Sequence, residues 1–181
     1  MRVFRLLNNV NHYQYFLTES KDDATKLHTK CISLIEGWQA PPVFIYKPLN
    51  KEGDLFNFSN NTPIFSPRAT ELLRTHLEMA GELLEIPYKG KSYWLLNVLE
   101  CINCIDEVKS EWVVHNGVRA YPKRYAFHPR RFGESCIFKI PETYRGEVLV
   151  LDREDGDGFV DALIESQIVG YELKLLWTDG E

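Results

Sequence analysis

Residues 93–112, YWLLNVLECINCIDEVKSEW, decide the fold, because an apolar half is followed abruptly by a charged half. Between positions 93 and 105 both alternating sets of side chains are mostly apolar, which is typical of a strand covered on both faces. Periodicity alone leaves a helix open, but the β-branched and aromatic content favours a strand. We therefore expect residues 93–105 to be a buried central strand. The charged residues that follow should lie at a strand end or loop, where they could meet a partner.

Length and composition predict one globular domain, residues 1–181. A chain of 181 residues and 21.1 kDa buries roughly 70% of the surface that it exposes when unfolded. Its hydrophobic content of 44% and charged content of 26% are ordinary for a soluble protein. The aromatic content of 13% suits a sheet-rich core or a binding surface. The expected fold is a single α+β domain with a mostly antiparallel, aromatic-rich sheet and about three helices.

The charge balance bears on the class of partner. A formal charge of -5 and a pI near 5.6 argue against a dedicated nucleic-acid binder, whose affinity depends on neutralising phosphates with Lys and Arg. The same charge suits a basic partner, because long-range attraction speeds the encounter.

Three features predict a cytoplasmic location. Asn8, Asn9, Asn11 and His12 interrupt the first apolar stretch, so no signal peptide is expected, and no apolar run approaches the roughly 20 residues that span a bilayer. The four cysteines are too few for a disulfide scaffold in a chain of this length. We expect free thiols in a reducing compartment and no membrane partner.

The first third of the chain predicts strands and one helix. Residues 1–7 and 13–17 have strand-like patterns, and apolar side chains recur at helical spacing from position 22 to position 38. A short strand is expected over residues 43–46. Residues 48–63, rich in Asn, predict a surface connection in which Leu55, Phe56 and Phe58 point inward.

The middle of the chain carries clearer signals. Ser66 followed by Pro67 predicts a helix start, and Gly81 predicts its end. The expected buried stripe of this helix consists of Ala69, Leu72, Leu73, Leu77 and Ala80. Residues 83–87 and 92–99 predict a hairpin. A second hairpin is predicted over 111–114 and 118–121, because Asn116-Gly117 favours a type I′ turn.

The last third predicts a helical turn at 129–132, strands at 136–140 and 147–151, a helix at 158–166 and a final strand at 171–177. Acidic residues at 152–157 precede that helix, where carboxylates interact favourably with the positive end of its dipole.

A calcium loop of the EF-hand type is not predicted, because neither Gly156 nor Gly158 gives a register with acidic residues at both the first and last ligand positions.

Cys101 and Cys104 are the first candidates for chemistry. A structural zinc site needs four ligands, and only Cys136 and His128 could complete this pair. A redox role needs a thiol of low pKa at a helix N-terminus, whereas this pair continues an apolar run. Structural cysteines are therefore expected, with no metal or cofactor.

A basic stretch could hold RNA by phosphate contact and base stacking. Its charged members are Arg119, Lys123, Arg124, His128, Arg130 and Arg131, interleaved with Tyr121, Tyr125 and Phe127. No RNA-binding motif accompanies it, and strand alternation would bury the aromatic rings.

Asp106, Ser110 and His115 are close in sequence, but a catalytic triad is assembled in space, so this proximity carries little information.

The central stretch also carries a resemblance to a known family. Its positions are Tyr93, Trp94, Leu96 and Asn97, then Asn103, Cys104, Ile105 and Asp106, then Lys109, Ser110 and Glu111. Further matches follow in order at Tyr125-Ala126-Phe127, Ile137-Phe138-Lys139-Ile140-Pro141, Val150-Leu151-Asp152 and Gly170-Tyr171-Glu172-Leu173. This series resembles immunity-protein family eleven of bacterial polymorphic toxin systems. It covers residues 42–177, after a variable part at 1–41, and Asn103 stands where that family often has Asp.

The resemblance implies an immunity protein that binds and neutralises a cognate toxin domain by occlusion, without catalysis. The expected toxin-binding residues lie in the charged segment and the acidic cluster: Asp106, Glu107, Lys109, Ser110, Glu111, Trp112, Asp152, Asp155, Asp157 and Asp161. The alternatives are a thiol- or zinc-dependent enzyme that uses Cys101 and Cys104, and a small RNA-binding adaptor. The sequence names neither the toxin nor the oligomeric state.

Overall fold

The computed structural model describes residues 1–58 and 62–180. Within them the strands are β1 (Arg2–Asn8), β2 (Tyr15–Thr18), β3 (Val43–Tyr46), β4 (Leu55–Phe58), β5 (Thr62–Phe65), β6 (Gly81–Tyr88), β7 (Lys91–Val98), β8 (Glu111–His115), β9 (Val118–Arg124), β10 (Ile137–Phe138), β11 (Leu149–Asp152) and β12 (Tyr171–Thr178). The helices are α1 (Lys21–Lys26), α2 (Pro67–Ala80) and α3 (Phe159–Glu165), with single 3-10 turns at Pro129–Arg131 and Pro141–Thr143.

The strands form antiparallel sheets, which confirms the predicted α+β class. The first four-stranded sheet has the order β10-β11-β1-β12 and the second has the order β4-β5-β7-β6. Two further pairs, β2 with β3 and β8 with β9, are separate hairpin-like ribbons. The aromatic-rich sheet that the sequence predicts is thus divided into two main sheets and two ribbons.

Three apolar clusters cover the faces of these sheets. One cluster lies between the sheets and combines α2 and α3 with Leu6 of the first sheet and Leu96 of the second. The outer face of the first sheet packs Val3 against Phe127 and Trp177. The outer face of the second sheet packs Phe56 and Tyr93 against residues of the N-terminal segment. Each sheet therefore packs apolar side chains on both of its faces.

Strand β7 confirms the two-sided burial predicted for the central stretch, but not its length. Tyr93 and Leu95 face one cluster, whereas Leu96 and Val98 face another. The prediction of a strand to position 105 is wrong, because β7 ends at Val98. Val98 pairs with Gly81, the first residue of β6, so the partner strand offers no residue beyond that point.

Helix α2 has the predicted bounds. The Ser66 hydroxyl accepts a hydrogen bond from the Ala69 N–H at 3.0 Å, and the Gly81 N–H donates to the Leu77 carbonyl. The predicted buried stripe needs one correction, since Leu72 is 49% exposed and Thr70 is buried instead. The Thr70 hydroxyl donates to the Ser66 carbonyl, which satisfies this polar side chain inside the core.

The predicted helix over residues 22–38 is wrong beyond Lys26. The chain turns at Cys31, which has a φ of +58°, and continues without regular structure. This segment covers the edge strand β6: the Leu34 N–H donates to the Glu82 carboxylate at 2.9 Å, and the Trp38 indole N–H donates to the Glu85 carbonyl at 2.9 Å. These bonds to an edge strand outweigh the helical spacing of the apolar side chains.

Residues 48–63 are not the predicted surface connection, because they contain β4 and the start of β5. Leu55, Phe56 and Phe58 are buried as expected, but they belong to a paired strand in which Asn57 lies opposite Pro63. Residues 59–61 of the predicted connection lie outside the described residues. The polar composition predicted a loop, but burial of the aromatic side chains favours a paired strand.

The later elements follow the predictions closely. Both predicted hairpins form, the helical turn lies at Pro129–Arg131, and α3 is followed by β12. The strand predicted over 136–140 is shorter, since β10 has two residues. No helix in the described part of the chain is long and apolar enough to cross a membrane.

Candidate functional site

Residues 107–124, named here the arm, comprise a turn and the β8–β9 hairpin. The hairpin joins neither four-stranded sheet. Its turn uses Asn116 and Gly117 at φ values of +50° and +79°, which are the left-handed angles that a type I′ turn requires. The arm is therefore a two-stranded ribbon with a large exposed perimeter.

Asp106 and Ser110 fix the base of the arm. The Asp106 carboxylate accepts hydrogen bonds from the Val108 and Lys109 N–H groups, both at 3.1 Å. Ser110 accepts a hydrogen bond from the Ala126 N–H at 3.0 Å. The backbone N–H groups of Lys109 and Val108 lower the pKa of Asp106. Both side chains are buried, so they shape the surface and are not themselves presented to a partner.

Trp112 and Arg119 stiffen the middle of the arm. The guanidinium carbon of Arg119 lies 5.2 Å from the Trp112 ring centroid, and Arg119 Nη1 lies 3.0 Å from Glu107 Oε2. Glu111 and Arg124 form a second ion pair across the hairpin at 3.1 Å. Trp112 also packs against the outer cluster of the first sheet, which ties the arm to the body.

The arm exposes aliphatic and aromatic side chains that the sequence analysis did not select. Val108 is 94% exposed, Val118 69%, Val114 54% and Tyr121 49%. Consecutive pairs of the hairpin place Val114, opposite Arg119, and Val118, opposite His115, on different faces of the ribbon. Several exposed apolar groups on one short element indicate an interaction surface. The sequence located this hairpin through Asn116-Gly117 but carried no signal for their exposure, which follows from a hairpin that joins neither four-stranded sheet and so has few neighbours to cover its faces.

The predicted acidic cluster divides into structural and exposed carboxylates. Asp152 is 2% exposed and lies 2.6 Å from Arg2 Nη2, and Asp161 accepts a hydrogen bond from the Gly158 N–H at the start of α3. Asp155 and Asp157 are exposed. Of the predicted toxin-binding residues, the following are exposed or partly exposed: Glu107, Lys109, Glu111, Trp112, Asp155 and Asp157.

The cysteines do not form a convergent pair. Cys104 lies in the outer cluster of the first sheet, whereas Cys101 lies beside the Cys31 thiol. Burial raises the pKa of Cys104 to about 12, which is the opposite of the shift that activates a nucleophilic thiol. All four thiols are free, and within residues 1–58 and 62–180 no three His, Cys, Asp or Glu side chains are grouped as metal ligands.

In the described residues, the histidines near acidic or thiol groups form neither a catalytic triad nor a Cys–His pair. His128 lies 3.8 Å from Asp106, whereas His115 lies at the exposed end of the arm, so Asp106, Ser110 and His115 do not form a triad. His76 and Cys136 line a cleft of about 210 Å³ together with Asp155 and Asp157. No hydrogen bond joins His76 to Cys136 in the part of the chain that the structure describes.

The basic stretch is split by burial. Tyr125 and Phe127 pack in the core with their ring centroids 5.9 Å apart, as strand alternation predicts, whereas Tyr121 is exposed. The charged residues Arg119, Lys123, Arg124, Arg130 and Arg131 face solvent. Tyr121 is thus the member of the predicted aromatic set that remains accessible for stacking.

The comparisons with known proteins add no further constraint. No family model matches the chain, and no curated protein sequence matches it.

Proposed function

We propose that this chain is an immunity protein that binds one toxin domain and blocks it by occlusion. The observation that carries the proposal is the arm, residues 107–124, which presents exposed Val108, Val114, Val118 and Tyr121 from a braced ribbon. The ordered series of motifs from Tyr93 to Leu173 supports the same class of function.

The chemistry of the arm suits a protein partner. The arm presents exposed apolar side chains beside the charged residues Glu107, Lys109, Glu111 and Arg119, and protein interfaces likewise combine apolar contacts with surrounding polar groups. A stable interface buries roughly 1,600 Å² in total, so a toxin domain would extend from the arm onto the neighbouring surface.

Bracing lowers the cost of binding. A side chain that is already ordered loses less conformational entropy on binding than a free one, and Trp112 and Arg119 are held together before any partner arrives. The exposed Asp155 and Asp157 would add long-range attraction for a basic toxin. In this proposal Asp155 and Asp157 speed the encounter with the toxin, and the arm makes the direct contacts.

The proposal predicts that a neighbouring gene encodes a large secreted protein with a toxin domain at its C-terminus, and the test uses that domain. Expression of that domain in a bacterial cell should stop growth, and coexpression of this chain should restore it. Growth arrest despite equal expression of both proteins would overturn the proposal.

The same coexpression experiment distinguishes inhibition by binding from inhibition by an enzymatic reaction. Occlusion predicts a stable one-to-one complex and a toxin of unchanged mass by mass spectrometry. A toxin that is rescued but covalently modified, with no complex, would favour an enzyme that uses Cys101 or Cys104.

A further inference from the structure

A small cavity of about 60 Å³ lies between the segment at residues 28–30 and the segment at residues 139–146. Four basic side chains line it, namely His28, Lys30, Lys139 and Arg145, together with the hydroxyl groups of Thr29 and Thr62. No Asp or Glu among the described residues lines it. Such a lining is notable in a chain with 26 acidic and 21 basic residues.

Lys139 is the buried member of this group. It is 2% exposed, and its ammonium donates to the Thr29 carbonyl at 2.6 Å and to the Thr29 hydroxyl at 2.8 Å. An ammonium has three donors, so these two bonds leave one. Within the described residues no carboxylate lies within 4.0 Å of Lys139.

A buried charge without an opposite charge is costly. Burial lowers the pKa of Lys139 to about 8, so the side chain is mostly protonated at neutral pH. The neighbouring thiol of Cys31 does not supply the missing negative charge, because burial and Cys101 raise its pKa to about 11. Among the described residues, therefore, no carboxylate compensates the positive charge at this site.

Arg145 adds a second positive charge to the wall of the cavity, and the local backbone fixes its position. Arg145 follows the 3-10 turn at Pro141–Thr143, and both Tyr144 and Arg145 have left-handed φ values of +54° and +55°. The Arg145 N–H donates to the Ile140 carbonyl at 3.2 Å, which holds this turn in place. The backbone thus places a second cation at the cavity that contains Lys139.

We propose that the cavity binds one small oxyanion of the phosphate class, with Lys139 as the buried charge and Lys30 and Arg145 at the mouth. A volume of about 60 Å³ exceeds the roughly 15 Å³ of such space that a single water needs. Amine, guanidinium and hydroxyl donors around one cavity match the acceptor oxygens of such an ion. This proposal does not depend on the proposed toxin partner.

The test is a titration of the full chain with inorganic phosphate in a buffer of low ionic strength, followed by calorimetry and thermal unfolding. One phosphate should bind per chain and raise the melting temperature, whereas sodium chloride at matched ionic strength should not. Lys139→Met should weaken phosphate binding at least ten-fold. Lys174→Met, at an exposed strand position outside the cavity, should bind phosphate as the unchanged chain does.

Arg145→Gln keeps the test decisive if Lys139→Met fails to fold, because Arg145 is exposed and its replacement leaves the core intact. This variant should also weaken phosphate binding at least ten-fold. The proposal is overturned if phosphate acts no differently from matched chloride, or if both cavity variants retain full binding.

Discussion

Arg119 lies over Trp112 across the two strands of the arm, with its guanidinium carbon 5.2 Å from the indole ring centroid. The same side chain forms an ion pair with Glu107 at 3.0 Å. One cation therefore joins the ribbon to the turn that leads into it. If the arm binds the toxin, this residue should matter far more for binding than for folding.

Arg119→Ala should lower the free energy of unfolding by less than about 1 kcal/mol, because exposed ion pairs and cation–π contacts are each weak. It should weaken toxin binding at least ten-fold, since Arg residues are frequent anchors of protein interfaces. Urea denaturation and a binding titration measure the two effects. Arg74→Ala, which breaks the exposed pair with Glu78 on α2, is the control, and equal affinity in both variants would contradict the role of Arg119.

Asp106→Ala should loosen the base of the arm. The N–H groups of Val108 and Lys109 lose their acceptor, so their hydrogen exchange should be at least ten-fold faster while exchange in β7 is unchanged. Asp106→Asn retains an acceptor oxygen and should protect both N–H groups. Unchanged exchange in the alanine variant would show that the carboxylate does not hold the turn.

The arm illustrates what the sequence could and could not predict. The Asn116-Gly117 pair located the hairpin, because few residues adopt two successive left-handed angles. The sequence could not show that the hairpin joins no larger sheet, and so it did not predict that Val114 and Val118 are exposed. Asp106 and Asp152 were selected for their charge, but nearby donors bind them internally.

The N-terminal region shows a second limit of the same kind. The apolar spacing from position 22 to position 38 fits a helix, yet Leu34 and Trp38 are held by the edge of β6. Local periodicity cannot report a distant edge strand that offers hydrogen bonds. By contrast, Ser66, Pro67 and Gly81 predicted α2 correctly, since capping is a local interaction.

The stability difference between the unchanged chain and Lys139→Met should depend on pH. Folding lowers the pKa of Lys139 from 10.5 to about 8, so between these values the folded chain releases a proton that the unfolded chain keeps. In phosphate-free buffer the unchanged chain should therefore gain about 3 kcal/mol relative to the variant as the pH rises from 7 to 10.5. Urea denaturation at several pH values measures this gain, and a difference independent of pH would contradict the burial of a charged lysine.

Alkylation should distinguish Cys104 from Cys136. Burial raises its pKa to about 12, and alkylation requires the thiolate, so Cys104 should remain unmodified by iodoacetamide at pH 8 while the partly exposed Cys136 reacts. In urea all four cysteines should react. Modification of Cys104 in the folded chain as fast as that of Cys136, seen by peptide mass spectrometry, would show that the outer cluster is open.

The most direct test of the account is the affinity of the purified toxin domain for three forms of the chain, measured by calorimetry. The unchanged chain should form a one-to-one complex, and Val118→Asp should bind at least 100-fold more weakly, because a carboxylate replaces an apolar contact in a desolvated interface. Ile164→Asp, at a similarly exposed position on α3, should bind within two-fold of the unchanged chain. Equal binding by the Val118 and Ile164 variants, or no binding by the unchanged chain, would contradict the claim that the arm captures a toxin.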